Sequence, residues 1–193
     1  MRTSAKFHQL LLIASTLALS WLAMQIVHES GHICGAYFTG GSVSRVLLHP
    51  LAFSRTDFAQ NPHPLIVAWC GPLLGTLLPL AGFALARSVR LPGWYVLRFF
   101  AGFCLIANGA YLGVGSFQKA GDAGDLLRDG VPIWTLWLFG LMAMPLGLYL
   151  WHHLGRHFGL GPNPAEISPA VTWLTTAILL AIIAAELSLS SSP

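Results

Sequence analysis

The 193-residue chain is 55% hydrophobic and only 9% charged, whereas soluble proteins carry about 25% charged residues. This composition excludes an ordinary soluble protein and indicates one membrane-embedded domain, residues 1–193, with the lipid bilayer as a partner. The net charge of +3 comes without a basic run interleaved with aromatic residues, so nucleic acid is not an expected partner.

Five apolar segments follow one another along the chain, and each approaches the ~20 residues that a helix needs to span a bilayer. They cover residues 9–35, 64–87, 94–117, 131–152 and 168–188. This pattern predicts an all-α, multi-pass integral membrane protein with about five transmembrane helices.

The link between the first two apolar segments, residues 40–64, has a different pattern. Gly40-Gly41 is a turn signal, and apolar residues from Val43 to Leu48 then lead to Pro50. The pattern predicts a short β-hairpin or re-entrant loop after the first helix, with an interfacial loop as the alternative. Within the membrane, such backbone is tolerated only where it lines protein or a wet cavity.

An HExxH motif, His28-Glu29-Ser30-Gly31-His32, lies near the C-terminal end of the first apolar segment. Residues four apart share one face of a helix, so the two histidines can bind one metal ion together. Glu29 projects about 100° further round the same turn, where it can reach a metal-bound water. No charged residue occurs from Leu10 to Val27. An ionisable group within a membrane segment is by default a candidate functional site.

Two histidines leave a zinc site incomplete, because a hydrolytic zinc keeps three protein ligands and one open position for water. The third ligand is often a carboxylate, and Asp122 and Asp125 lie between the third and fourth apolar segments. Neighbouring glycines let the backbone there approach another helix. A second type of membrane-embedded HExxH peptidase would use a glutamate as third ligand, and Glu166 and Glu186 are the only glutamates after the motif. From the residues alone, Asp122 and Asp125 both remain candidate ligands.

Together these motifs resemble the site-2 protease family of intramembrane zinc metallopeptidases, in particular a short branch without accessory domains. The HExxH motif matches the family's first motif, and Cys70-Gly71-Pro72-Leu73 matches its Gly-Pro pair in a following helix. Asp122-Ala123-Gly124 is similar to its Asp-Gly-Gly type motif, with Ala123 in place of one glycine. No Asn-x-x-Pro run precedes Asp122, and Asn108 lies farther upstream. The similarity covers residues 20–135.

The resemblance implies a role for each of these residues and favours Asp122 over Asp125 as the third ligand. It also implies an edge strand that holds an extended substrate by strand addition. The implied residues are the zinc ligands His28, His32 and Asp122 (Asp125 as the alternative), the base Glu29, the polar support Asn108, and the substrate-strand positions Val43, Val46 and Leu48.

The expected function is therefore that of an intramembrane zinc metalloendopeptidase. Its partner would be a membrane-protein substrate, cleaved in or near a transmembrane segment. Zinc would lower the pKa of a bound water towards 7, and Glu29 would accept its proton as the water attacks the peptide carbonyl.

The alternative is a non-proteolytic metal-binding or transport membrane protein. The cluster His152, His153 and His157 supports this reading, since His153 and His157 would share one face of a helix. The same cluster also fits an ordinary interfacial role beside Arg156, where a helix meets the lipid headgroups.

Overall fold

The computed structural model describes residues 2–190, with backbone only for residues 2, 3 and 190. This part of the chain contains seven α-helices, one short 3-10 helix and two β-strands. They are α1 (Arg2–Phe38), β1 (Ser42–Leu47), β2 (Arg55–Gln60), α2 (Pro64–Ser88), α3 (Trp94–Gly113), α4 (Gly115–Gln118), α5 (Gly121–Arg128), α6 (Ile133–Trp151), the 3-10 helix (Leu154–Phe158) and α7 (Pro169–Ser190).

Among the described residues, five helical spans are long and apolar enough to cross a membrane: Ser4–Phe38, Pro64–Ser88, Trp94–Gln118, Ile133–Trp151 and Pro169–Leu189. The third span joins α3 and α4. The predicted all-α membrane fold with five long apolar helices is confirmed. Helices are the expected solution in lipid, because they satisfy every backbone hydrogen bond within the segment.

The link after α1 forms a β-hairpin, which confirms that alternative over an interfacial loop. β1 and β2 pair antiparallel, with Val43 opposite Phe58 and Val46 opposite Thr56. The register shifts between Val43 and Arg45. This bulge places Val43 and Val46 on the same face of the hairpin although they are three residues apart, since directly opposed residues share a face.

Helix α1 packs mainly against α2 and α7, with a smaller contact to α3, while α3 packs against α2 and α6. Small residues bring α3 and α6 together: a Cβ on Gly147 would lie only 2.7 Å from the carbonyl oxygen of Gly102. Gly109 and Gly113 continue this contact along α3. Another face of α3 carries Asn108 to α1, at the end of the bundle where α5 also lies.

Candidate metal centre

Three ligand atoms from two helices converge near the C-terminal end of α1. His28 Nε2 lies 3.0 Å from Asp122 Oδ2, and His32 Nε2 lies 3.2 Å from the same oxygen. The two Nε2 atoms are 3.1 Å apart. Ligand atoms of a tetrahedral zinc with bonds of ~2.0–2.2 Å are about 3.3 Å apart. The three side chains therefore fit one zinc ion with only a slight expansion.

The other ring nitrogen of each histidine is held by a group that sets its tautomer. His32 Nδ1 donates to the backbone carbonyl of Val67 at 2.8 Å. His28 Nδ1 donates to Asn108 Oδ1 at 2.7 Å, and Asn108 Nδ2 in turn donates to the Cys104 carbonyl at 2.9 Å. A proton on each Nδ1 makes Nε2 the nitrogen that can exchange its own proton for a metal ion, as is usual for metal-ligating histidines.

Asn108 is therefore placed behind His28, which gives the predicted polar-support residue a specific contact. Its side chain is 1% exposed, so the hydrogen bond to His28 is shielded from water. We expect Asn108→Ala to lower zinc affinity by about 10–100-fold, because His28 loses the acceptor that orients its ring. Zinc titration of the purified protein measures this change.

The matched control is Asn163→Ala, which removes an exposed asparagine in the loop after the 3-10 helix. Zinc affinity should not change in this variant. Unchanged affinity in a folded Asn108→Ala variant would show that Asn108 does not orient His28.

Asp122 reaches the histidines from the first turn of α5, which begins at Gly121 with a φ of 54°. Tyr111 accepts a hydrogen bond from the Asp122 backbone N–H at 3.3 Å. Burial acts to raise the pKa of the Asp122 carboxyl, but hydrogen bonds from His28 and His32 outweigh it and hold this pKa well below its ordinary value. The carboxylate is therefore ionised, as metal binding requires.

The other predicted third ligands lie elsewhere. Asp125 is exposed on α5 and pairs with Arg128 at 3.0 Å. Glu166 is exposed in the loop before α7, and Glu186 is buried within α7. Across residues 2–190, the one group of three or more metal-ligating side chains within reach of a single ion is His28, His32 and Asp122.

Helix α2 touches the centre through Gly71, part of the Gly-Pro pair noted in the sequence. A Cβ at Gly71 would collide with the His32 ring, and a Cβ at Gly31 would collide with the Cys70 carbonyl. Glycine at both positions lets α1 and α2 approach closely, so that the Val67 carbonyl reaches His32. The resemblance identified this motif, but the structure supplies its physical reason.

We expect Gly71→Ala to displace the His32 ring. Overpacking of this kind costs typically about 1–3 kcal/mol of folding stability, and zinc affinity should fall with it. Thermal unfolding and zinc titration measure the two effects. Gly82→Ala is the control on the same helix, since a Cβ there meets nothing within 4 Å. If both variants behave alike, the close approach at Gly71 is not required.

Glu29 is buried beside the ligands, and both of its carboxylate oxygens accept hydrogen bonds from the hairpin region. Ser54 Oγ donates to Oε1 at 2.7 Å, and Thr56 Oγ1 donates to Oε2 at 2.6 Å. The Ser54 backbone N–H also donates to Gln25 Oε1 at 2.8 Å. Ser54, Thr56 and Gln25 were not among the residues predicted from the sequence. Alternation of polar residues at Ser54 and Thr56 was the signal available, because such residues face one side of a strand.

Two cavities meet at His28 and Glu29. One, of about 420 Å³, is bordered by all three ligands and by Ser54, Thr56 and Phe58. The other, of about 530 Å³, lies between α1 and α3 and is lined largely by apolar side chains, among them Trp21, Met24, Phe53, Ala107 and Val114. The candidate base Glu29 thus borders both a polar cavity and an apolar cavity.

The predicted substrate-strand positions lie one strand away from these cavities. Val43 and Val46 are on β1, opposite Phe58 and Thr56, and Leu48 lies just beyond the end of β1. None of the three lines either cavity. The hairpin face beside the ligands belongs to β2, so the substrate role of the three β1-side residues stays a prediction.

The second histidine cluster does not form the expected helical face. Helix α6 ends at Trp151, and His153 has a left-handed φ of 57°, so His153 and His157 are not on one continuous helix. The His157 ring instead stacks on Tyr95, with centroids 5.1 Å apart. The expectation that His153 and His157 share a face is therefore wrong.

Comparison with protein-family models, with curated proteins and with solved structures finds no match to this chain. The geometry of the site is therefore the basis for assigning a function. That geometry defines a candidate two-histidine, one-aspartate metal centre with an adjacent glutamate, in a chain with five potential membrane-spanning helices.

Proposed function

We propose that this chain is a multi-pass membrane zinc metalloendopeptidase that hydrolyses a peptide bond in or near a transmembrane segment of another membrane protein. The observation that carries the proposal is the convergence of His28 Nε2, His32 Nε2 and Asp122 Oδ2 beside the buried carboxylate of Glu29. Two neutral imidazoles and one carboxylate form a donor set that suits a catalytic zinc.

Bound zinc supplies Lewis-acid chemistry and lowers the pKa of a coordinated water. The protein's own part begins with His28, His32 and Asp122, which hold the ion. Glu29 accepts the proton of the attacking water and later returns it to the leaving amine. Asn108 and the Val67 carbonyl keep the imidazoles oriented.

The two cavities support a membrane-protein substrate. The polar cavity beside the ligands gives room for water and for an unwound peptide backbone. The apolar cavity next to it can accept large apolar side chains, which are abundant in transmembrane segments. A soluble, polar peptide would leave the apolar cavity unfilled.

Ser54 and Thr56 act in this scheme as positioning residues for Glu29. We expect the double variant Ser54→Ala, Thr56→Val to lower kcat by about tenfold or more, since hydrogen bonds to a charged group contribute about 1.5–3 kcal/mol each. Zinc content should stay unchanged, because neither residue contacts the ligands.

The conservative variants Ser54→Thr and Thr56→Ser keep a hydroxyl and should restore kcat. Ser44→Ala removes an exposed hairpin hydroxyl that bonds only the Asp57 carbonyl, and should have no effect. Zinc loss in the double variant, or failure of both conservative variants to restore kcat, would indicate a structural role instead.

The direct test of the proposed function is cleavage by the purified protein in lipid nanodiscs. A mixture of single-span membrane proteins serves as substrate, and mass spectrometry identifies the products. We expect zinc-dependent cuts in or beside the transmembrane segments, lost on chelation and restored by added zinc. Zinc binding at one ion per chain without any cleavage across the mixture would favour the non-proteolytic alternative.

A further inference from the structure

A second feature lies at the other end of the bundle, roughly 22 Å along α1 from the metal centre. An apolar groove of about 240 Å³ runs between α1, α3, α6 and the 3-10 helix. Its lining includes Ile13, Leu17, Phe99, Trp151, Leu154 and Phe158. The shape and chemistry of this groove suit a hydrocarbon chain.

Positive charge borders the groove. Arg98 directly precedes Phe99, and Arg156 lies between Leu154 and Phe158 in the 3-10 helix. Burial, the charge of Arg156 and the charge of Arg98 together lower the pKa of the His157 imidazole, which indicates that both arginines lie near this ring. Arg98 also donates to the His152 carbonyl at 3.1 Å.

These two arginines have no carboxylate partner among the described residues. The arginine–carboxylate pairs found there are Arg55–Asp57 and Arg128–Asp125, both at the metal-centre end. Two guanidinium groups without a carboxylate partner, beside an apolar groove, match a ligand with an anionic head and an apolar tail. Arginine binds phosphate well, because its planar donors match phosphate oxygens in a bidentate arrangement.

Two further observations fit such a ligand. Thr16 lines the groove, and its buried hydroxyl has no hydrogen-bond partner in the described part of the chain. Trp94 and Tyr95 pack against the His157 ring, with centroids 5.2 and 5.1 Å away. Tryptophan and tyrosine are the residues that collect at the level of lipid headgroups.

We propose that this end of the molecule is a binding site for one anionic phospholipid of the surrounding bilayer. An acyl chain occupies the apolar groove, the phosphate lies between Arg98 and Arg156, and the Thr16 hydroxyl donates to an ester carbonyl. The site does not depend on the proposed peptidase activity. A soluble phosphate compound would leave the groove empty, which is why the structure favours a lipid.

The test is native mass spectrometry of the full-length protein, titrated with phosphatidylglycerol and with phosphatidylcholine of the same acyl chains. We expect one saturable phosphatidylglycerol per chain, bound about tenfold more tightly than phosphatidylcholine. The double variant Arg98→Gln, Arg156→Gln should lose this preference. Arg45→Gln removes one exposed charge at the metal-centre end and should keep it.

A variant that fills the groove separates a specific site from general attraction to a basic surface. A Cβ at Gly155 would meet only Leu160, at 3.5 Å, so Gly155→Leu can extend into the groove without a backbone clash. It should weaken binding of both lipids about tenfold or more, with zinc content unchanged. The single variant Arg156→Gln, at an exposed position, repeats the charge test if the double variant fails to fold.

Equal affinity for the two lipids would overturn the proposal, as would full binding in Gly155→Leu. The third compound titrated is glycerophosphoglycerol, which has the same headgroup without acyl chains. If it binds as tightly as the lipid, the arginines form a site for soluble phosphate compounds and the lipid proposal is wrong.

Discussion

Glu29→Gln is expected to lower cleavage of a transmembrane substrate by about 10²–10⁴-fold while the protein keeps its zinc. Glutamine preserves the size of the side chain but cannot accept the water's proton. The amide can still accept a hydrogen bond from Ser54 or Thr56, which now hold the two carboxylate oxygens at 2.7 and 2.6 Å. The hairpin should therefore stay in place, and the loss should appear in kcat.

Zinc content and turnover are measured together on the same preparation. Glu166→Gln is the matched control, because it makes the same chemical change at an exposed position in the loop before α7. Its turnover should equal that of the unmodified protein. Normal cleavage by Glu29→Gln would remove Glu29 as the base and with it the peptidase mechanism.

Asp122→Asn should lower zinc affinity by more than about 100-fold, because loss of a direct ligand exceeds the 10–100-fold cost of losing an outer-shell partner. The substitution also removes the one negative charge among the three ligands. Activity should fall in parallel and recover in part at high zinc concentration.

Asp125→Asn provides the control three residues away on the same helix. Its carboxylate is exposed and pairs with Arg128 at the surface, where such a pair contributes little. Zinc affinity should therefore be unchanged. Retention of the metal by Asp122→Asn together with its loss from Asp125→Asn would identify Asp125 as the ligand.

The sequence by itself determined the features that depend on local periodicity. Five apolar runs predict five long helices, and helical spacing alone puts His28 and His32 on one face. Turn residues after α1 predicted a hairpin as one of two alternatives. These inferences succeed because helix geometry and bilayer thickness act on neighbouring residues and need no knowledge of the packing.

Only the tertiary structure decided which distant residues meet. The residues alone leave Asp122 and Asp125 as equal candidates for the third ligand. In the structure, α5 turns Asp122 towards the histidines and Asp125 towards solvent. Asn108 is 80 residues from His28 in sequence, and no local pattern links them. Ser54 and Thr56 reach Glu29 because the hairpin folds back so that the start of β2 lies against α1.

At the histidine cluster, residues 152–157, a prediction from local spacing was wrong because the tertiary structure ends the helix. Local spacing predicted a shared face for His153 and His157, but α6 ends at Trp151 and the chain turns there. Close helix contacts, such as Gly71 against His32, set the positions of the ligands. Contacts of this kind join residues far apart in the chain, so periodicity determines which residues share a face and packing determines what that face meets.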